Sequence, residues 1–279
     1  MKIFNKVVIF GTGLIGGSLG LALKRKHLTT QIIGFSKHKE NAIKALKIGA
    51  IDYIGSSLDT TQDADLIILA TPVDTIIDIM FKISPKLKKD CIVIDVGSTK
   101  ENIVKELNRL TPNFVGCHPL AGSEKKGIKN AQTDIFNNSI CIITSSAITK
   151  RNALKKIELL WQKLGAKTIM MHPKQHDQIL SFTSHLPHIV AFSLMGAIPD
   201  KFLNVSSGGL KDTTRIAASD ELLWSQIFLS NRKNLLVAVT AFQTKLAALK
   251  LALEKKDNKH LIKILSKAKE KRERLLRLR

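Results

Sequence analysis

The chain is short of cysteine, of aromatic residues and of negative charge. Its 279 residues hold three cysteines, 5% aromatic residues, and 23 Asp and Glu against 44 Lys and Arg, a formal net charge of +21. Cys91, Cys117 and Cys141 are odd in number, far apart and flanked by apolar or β-branched residues. With no CxxC and no Cys/His spacing, they exclude a disulfide framework and a zinc site, and no metal is expected. They read as buried free thiols of a reducing compartment. A nucleic-acid surface would interleave its basic residues with aromatics, which are scarce here, so the excess of lysine reads as solvated faces with a bias toward anionic ligands. Long hydrophobic runs are missing too. The longest uncharged apolar helix candidate, residues 186–199, is interrupted by Pro187 and His188 and is too short for a bilayer. The first strand begins within a few residues, so no signal peptide is expected, and the chain reads as soluble and cytoplasmic.

What is present begins with enough length for two domains and an apolar content of 44%, sufficient for a core in each. The chain is organised around residues 6–20, KVVIFGTGLIGGSLG, where an apolar run meets Gly11-x-Gly13-x-x-Gly16 and then an apolar helix start. A buried strand, a glycine turn and a helix N-terminus in that order make an anion cradle for the pyrophosphate of a dinucleotide. Gly11 permits the turn, Gly13 lets the backbone approach the pyrophosphate, and Gly16 lets the helix lie close to its strand. Leu14 and Ile15 open the helix and join the cofactor set. The second strand, residues 31–35, ends on Ser36-Lys37-His38-Lys39. An acidic residue at this place accepts from the 2′-OH of NAD, whereas Ser36 and Lys37 favour the 2′-phosphate of NADP.

Further on, residues 39–48 read as a helix closed by Gly49. Residues 65–70 and 91–96 are apolar runs of the buried parallel type. The first ends at Thr71-Pro72-Val73, which stops the strand at the sheet's carboxyl edge, where cofactors lie. Helices are expected over residues 75–86 and 151–164, the latter closed by Gly165, and strands over 114–117, 140–144 and 167–171. Beyond residue 173 strand-like runs stop, and apolar residues recur at helical spacing over 175–183, 187–197, 221–255 and 258–278. The chain therefore reads as an α/β, Rossmann-type doubly wound parallel sheet over residues 1–173, followed by an all-α domain over 174–279. The apolar faces between Ile227 and Leu253 exceed the needs of one small helical domain, which points to a homodimer through the C-terminal helices. From Lys250 onward there are 12 Lys or Arg against 4 Asp or Glu. They read as a solvated face, with a partner-binding basic tail as the alternative.

Three polar clusters lie outside the glycine loop. Ser98 sits on a loop leaving a strand's carboxyl end. His118, followed by Pro119, lies on a similar loop and is a candidate base. The third cluster is Ser184-His185-Leu186-Pro187-His188, with His176-Asp177 upstream and Asp212-Thr213-Thr214-Arg215 downstream. Pro187 suits a first helical position, directing polar groups outward from a helix start. Arg215 suits a bidentate grip on a carboxylate. These groups read as a nicotinamide cofactor, a carboxylate substrate and at least one acid–base histidine.

In order, GTGLIGGSLG, DADLIILATPV, DVGSTK, GCHPLAGSEKKG, HDQILSFTSHLPH and GGLKDTTRIAASDELLW resemble the prephenate/arogenate dehydrogenase family of tyrosine biosynthesis, over nearly the whole chain. The resemblance implies NAD(P)-dependent oxidative decarboxylation of prephenate to 4-hydroxyphenylpyruvate, or of arogenate to tyrosine, in a cleft between a Rossmann domain and a helical dimerisation domain. It implies that His118 accepts from the substrate hydroxyl and that Ser98 orients His118, hydroxyl and nicotinamide. Arg215 would hold a substrate carboxylate, with Ser123 and His188 lining the pocket and Glu124, Asp212 and Trp224 nearby, Trp224 toward a partner subunit's site. Some family members are fused to a chorismate mutase segment or an ACT domain; neither is expected here. The alternative is another two-domain NAD(P)-dependent dehydrogenase of the β-hydroxyacid type. Those lack HPLAGSE with SHLPH and need a catalytic lysine in the helical half. A dinucleotide-sensing regulator that binds nucleic acid through the basic tail is a reading from a different class.

Overall fold

A computed structural model of the protein describes residues 2–121 and 126–277. The strands are β1 Lys6–Phe10, β2 Gln31–Phe35, β3 Tyr53–Ile54, β4 Leu66–Leu69, β5 Ile92–Asp95, β6 Phe114–Pro119, β7 Ile140–Thr144 and β8 Lys167–Met171. They form one sheet in the order β3-β2-β1-β4-β5-β6-β7-β8. The pairs from β3 to β6 are parallel, β6 and β7 are antiparallel, and β7 and β8 are parallel to each other. Strand order reverses between β1 and β4, the place where an open α/β sheet leaves a crevice at its carboxyl edge.

Alternation along the strands explains why both faces are covered. Val7, Ile9, Leu66, Ile68, Ile92 and Ile94 enter one core, with α1 (Leu14–Arg25) and α5 (Arg151–Lys163) packed on it. Val8, Phe10, Ile67, Leu69 and Val93 enter the other, under α3 (Val73–Ile83) and α4 (Glu101–Leu110). Side chains at odd and even positions point to opposite faces, so a strand buried on both sides is apolar throughout. α2 (Lys39–Lys47) ends at Gly49, whose φ of +76° is in the left-handed region that glycine favours.

The helical half departs from expectation in three places. Residues 173–197 form one helix in three parts: α6 (Pro173–Leu180), a π-helical turn (Ser181–His185) and α7 (Leu186–Ala197). Pro187 therefore does not start a helix. The wider π turn just before it accommodates a residue that has no N–H to donate and whose ring would crowd the carbonyl four residues back. The expected helix over 221–255 is two, α9 (Glu221–Ser230) and α10 (Arg232–Glu254), separated at Asn231. Between α7 and α9 lies α8 (Gly208–Thr214), which sequence periodicity did not reveal. Because the π turn joins two segments, Pro173–Ala197 is 25 residues long with mean hydropathy 1.2, and α10 has 23 residues with mean hydropathy 1.5. Both are therefore long and apolar enough to cross a membrane, contrary to the expectation that no such segment exists. In the first of them, however, His176, Asp177 and His185 are buried, and Asp177 is hydrogen-bonded to the backbone of α4.

By packing, the chain divides into a unit of residues Met1–Arg232 and a unit of residues Lys233–Arg279. The second consists of α10 from Lys233 and α11 (Asn258–Arg277), joined by a turn in which Lys256 has φ +51° and Asp257 Oδ1 accepts from the His260 N–H at 2.9 Å. Leu236, Val237, Leu246, Leu251 and Leu253 of α10 and Ile262 and Leu265 of α11 are exposed.

Candidate active site

The glycine loop is shaped by what its glycines leave out. Gly11 has φ +93°, and a Cβ there would stand 2.4 Å from the Ala70 carbonyl oxygen at the end of β4. A Cβ on Gly16 would stand 1.9 Å from the Gly11 oxygen, so α1 can lie this close to β1 only without one. Gly13 is the N-cap of α1, makes no side-chain cap, and its absent Cβ would face open space. Leu14, Ile15 and Gly16 follow as the first helical turn, so the positive helix end faces an open cradle. Thr71, Pro72 and Val73 connect β4 to α3, with Pro72 as the α3 N-cap. The Gly11 N–H donates to the Phe35 carbonyl at 2.8 Å, which brings Ser36 and the exposed Lys37 alongside. The Oγ1 atoms of Thr12 and Thr71 are buried and without a hydrogen-bond partner. Buried hydroxyls of this kind normally find partners. An open helix end flanked by two such hydroxyls fits a dinucleotide.

Farther along the same edge the site is made of side chains. His118 lies within β6, paired with Ile142 of β7, rather than on a loop beyond the strand, because the antiparallel ladder continues to Pro119. Its Nδ1 is 2.8 Å from His176 Nε2, and His176 Nδ1 is 2.7 Å from Asp177 Oδ1. Asp177 Oδ1 also accepts the Lys100 backbone N–H at 2.7 Å, and Oδ2 accepts that of Glu101 at 2.9 Å. A carboxylate from α6 thus caps the N-terminus of α4 and fixes the loop that carries Ser98. Ser98 lies just beyond β5 and His118 inside β6 near its end, neighbouring parallel strands in which Asp95 is in register with Gly116. Lys100 is fully buried, and its ammonium pairs with the equally buried Asp95. Burial, then His176, Lys100 and His185, hold the His118 pKa well below 6.5. His118 is therefore neutral at neutral pH and can accept a proton.

His185, in the π turn, faces this hydrogen-bonded chain, and His188 follows one turn later on α7. Burial lowers the His185 pKa to about 4. Its Nδ1 meets Asn231 Nδ2 at 3.2 Å, while its Nε2 is buried without a partner. Asn231 Nδ2 also donates to the Asp177 carbonyl at 2.7 Å, which ties the α9–α10 junction to α6. His188 Nδ1 donates to the Ser184 carbonyl at 2.9 Å, and its ring stacks on Trp224 with centroids 3.4 Å apart. Trp224 thus packs on a histidine of its own chain. Burial is the main cause lowering the His188 pKa, and the Arg215 guanidinium contributes to it. Arg215 opens the 3₁₀ turn Arg215–Ala218 after α8, and Asp212 is exposed on α8. Ser123 and Glu124 lie outside the described residues.

Sequence reasoning missed the roles of Lys100, Asp95 and Asn231. The signal for the first two was a charge at each end of the loop DVGSTK, on a strand otherwise apolar. No local signal marks Asn231. Among the described residues no group of three or more His, Cys, Asp or Glu could hold a metal.

A phosphate cradle at the sheet's switch point and a half-buried neutral histidine along the same edge define an NAD(P)-dependent oxidoreductase of the Rossmann class. The chain belongs to the prephenate dehydrogenase family: residues 19–170 match the nucleotide-binding domain of prephenate dehydrogenase and residues 172–267 its dimerization domain. It is 32% identical to the prephenate dehydrogenase of Bacillus subtilis, over 97% of this chain and 76% of that one. A crystal structure of prephenate dehydrogenase from A. aeolicus in complex with hydroxyphenyl propionate and NAD+ superposes with TM-score 0.91 at 34% identity, covering 97% and 98% of the two chains. Synechocystis arogenate dehydrogenase follows at TM-score 0.84 and 28% identity, covering 97% and 99%.

Proposed function

We propose that this chain oxidatively decarboxylates prephenate to 4-hydroxyphenylpyruvate, or arogenate to tyrosine. The observation that carries the reading is His118: half-buried, neutral, and on the sheet edge that also carries the dinucleotide loop. Bound NAD(P)+ supplies the acceptor for the hydride from the ring carbon that bears the 4-hydroxyl. His118 accepts the hydroxyl proton, which favours loss of that hydride and departure of CO2 as the ring becomes aromatic. Ser98 orients His118 and the hydroxyl. Arg215 holds a substrate carboxylate, His188 and Ser123 line the pocket, and Glu124, Asp212 and Trp224 lie near it. Aromatisation makes the reaction downhill, so the residues' task is positioning, for which effective-molarity effects supply roughly 7–11 kcal/mol.

Gly11, Gly13, Leu14, Ile15, Gly16, Thr71, Pro72 and Val73 cradle the dinucleotide. Ser36 and Lys37 favour NADP over NAD, since no carboxylate stands there to repel a 2′-phosphate. The exposed apolar residues of α10 and α11, in a region matching a dimerization domain, support a homodimer. The boundary between cofactor and dimerisation domains falls near residue 173, and three buried free cysteines suit the cytoplasm.

The test is a two-by-two assay, each substrate with each cofactor, read by reduced-nicotinamide absorbance. The expected result is reduction of NADP+ by one or both substrates with the higher kcat/KM. Absence of reduction in all four reactions overturns the activity, and a strict preference for NAD+ overturns the cofactor assignment alone.

A further inference from the structure

The residues behind His118 decide which of its two nitrogens carries a proton. Asp177 is 2% exposed, and both its oxygens accept backbone N–H bonds at the start of α4, as a carboxylate does. A carboxylate only accepts, so in the 2.7 Å bond to His176 the Nδ1 is the donor. His176 is fully buried, and burial lowers its pKa, so the ring is neutral and its Nε2 is a bare lone pair. At 2.8 Å from that lone pair, His118 Nδ1 must carry a hydrogen. What remains of His118 is an unprotonated Nε2 on the side away from His176.

We propose that His176 and Asp177 are positioning residues that hold His118 as the Nδ1–H tautomer and so present Nε2 as the proton acceptor, an inference that rests on the reading of His118 as the base. Both come from α6, 58 and 59 residues after His118, and both are buried. When His118 Nε2 takes the substrate hydroxyl proton, the imidazolium keeps its Nδ1–H bond to His176. His176 in turn keeps its own to Asp177, so the new positive charge is met by a fixed negative one two links away. The other charges facing the ring oppose it: the Lys100 ammonium from the β5–α4 loop, itself paired with Asp95, and His185 from the π turn wherever that ring is protonated. Asp177 is thus the anion that offsets them, and the neutral resting state of His118 is kept by Lys100 and enclosure.

A pair that merely glued α6 to α4 would show the same burial, so the test separates the two roles. His176→Leu removes the acceptor and keeps an apolar filling; His176→Gln offers an amide oxygen in its place. Positioning predicts that His176→Leu lowers kcat by ~100-fold with little change in KM, and that His176→Gln restores at least about tenfold of it. Equal kcat in the two variants, or loss confined to thermal stability, overturns the proposal. A second measurement needs neither variant nor substrate: ¹⁵N resonances of labelled histidine in the wild-type enzyme. They are expected to show His118 Nε2 unprotonated and Nδ1 protonated at pH 7. A protonated Nε2 in the wild type sinks the relay. Failure of the base assignment would look different, as turnover surviving His118→Asn while the nitrogen pattern stands.

Discussion

The two halves of the sheet's carboxyl edge are built from opposite materials. At β1, β2 and β4 the site is backbone: a positive φ at Gly11, a helix end at Gly13, and contacts that a single Cβ on Gly16 would fill. At β5 and β6 it is side chains, His118, His176, Asp177 and Lys100, drawn together from 58 to 77 residues apart. The first half should therefore be ruined by adding atoms and the second by removing them. Binding a pyrophosphate needs space and fixed dipoles, whereas moving a proton needs a particular nitrogen in a particular state.

Lys100→Met strikes the side-chain half hardest. It leaves Asp95 as an uncompensated buried charge, and denaturant melts should lose about 3–5 kcal/mol. A variant as stable as the parent would mean that Asp95 is protonated and the pair contributes no charge. His118→Asn should lower kcat by about 10³-fold while the dissociation constant for NADP+, read by fluorescence, stays put. An intact turnover would remove this ring from the chemistry.

The backbone half is tested by contrast between two glycines. Gly13→Ala places a methyl in open space, so the melting temperature should not move, yet cofactor affinity should fall by about 100-fold because the methyl occupies the pyrophosphate's approach. Gly16→Ala, with its Cβ 1.9 Å from the Gly11 oxygen, should instead lower the melting temperature. Should Gly13→Ala bind cofactor normally, the cradle is not where the pyrophosphate sits.

The same contrast explains what could be read from the residues alone. The mostly parallel sheet, the turn at Gly11 and the close packing at Gly16 were legible, because strand alternation and loop chemistry are local and contiguous. His118 stood out in the sequence but was misplaced on a loop, since its membership of β6 depends on β7, more than twenty residues away. Pro187 looked like a helix start because nothing nearby announces the π turn that absorbs it. The break at Asn231 was invisible for a similar reason: its side chain leaves the helix pattern to reach Asp177 and His185, and such partners have no spacing signature.

The smallest effect expected is on stability against pH, and it belongs wholly to the side-chain half. His185, 1% exposed, has a folded-state pKa of about 4, and the pKa values of His118 and His176 are also lowered by burial. In the unfolded chain these rings titrate near 6.5. As pH falls through that value the unfolded state takes up protons that the native state refuses, so its proton count is the larger and stability must fall with it. Between pH 7 and 5.5 His185 alone should cost about 1 kcal/mol in urea melts, with His118 and His176 adding in the same direction. His185→Gln should make the decline shallower by one ring's share, because the buried amide no longer has a charge to refuse. The backbone half carries no titrating group in its glycine loop, so Gly13→Ala should leave the pH slope unchanged. If the slope were the same in His185→Gln, the buried nitrogen of that ring would have to be reached by water, and its enclosure would be less than the packing of α6, α7 and α9 implies.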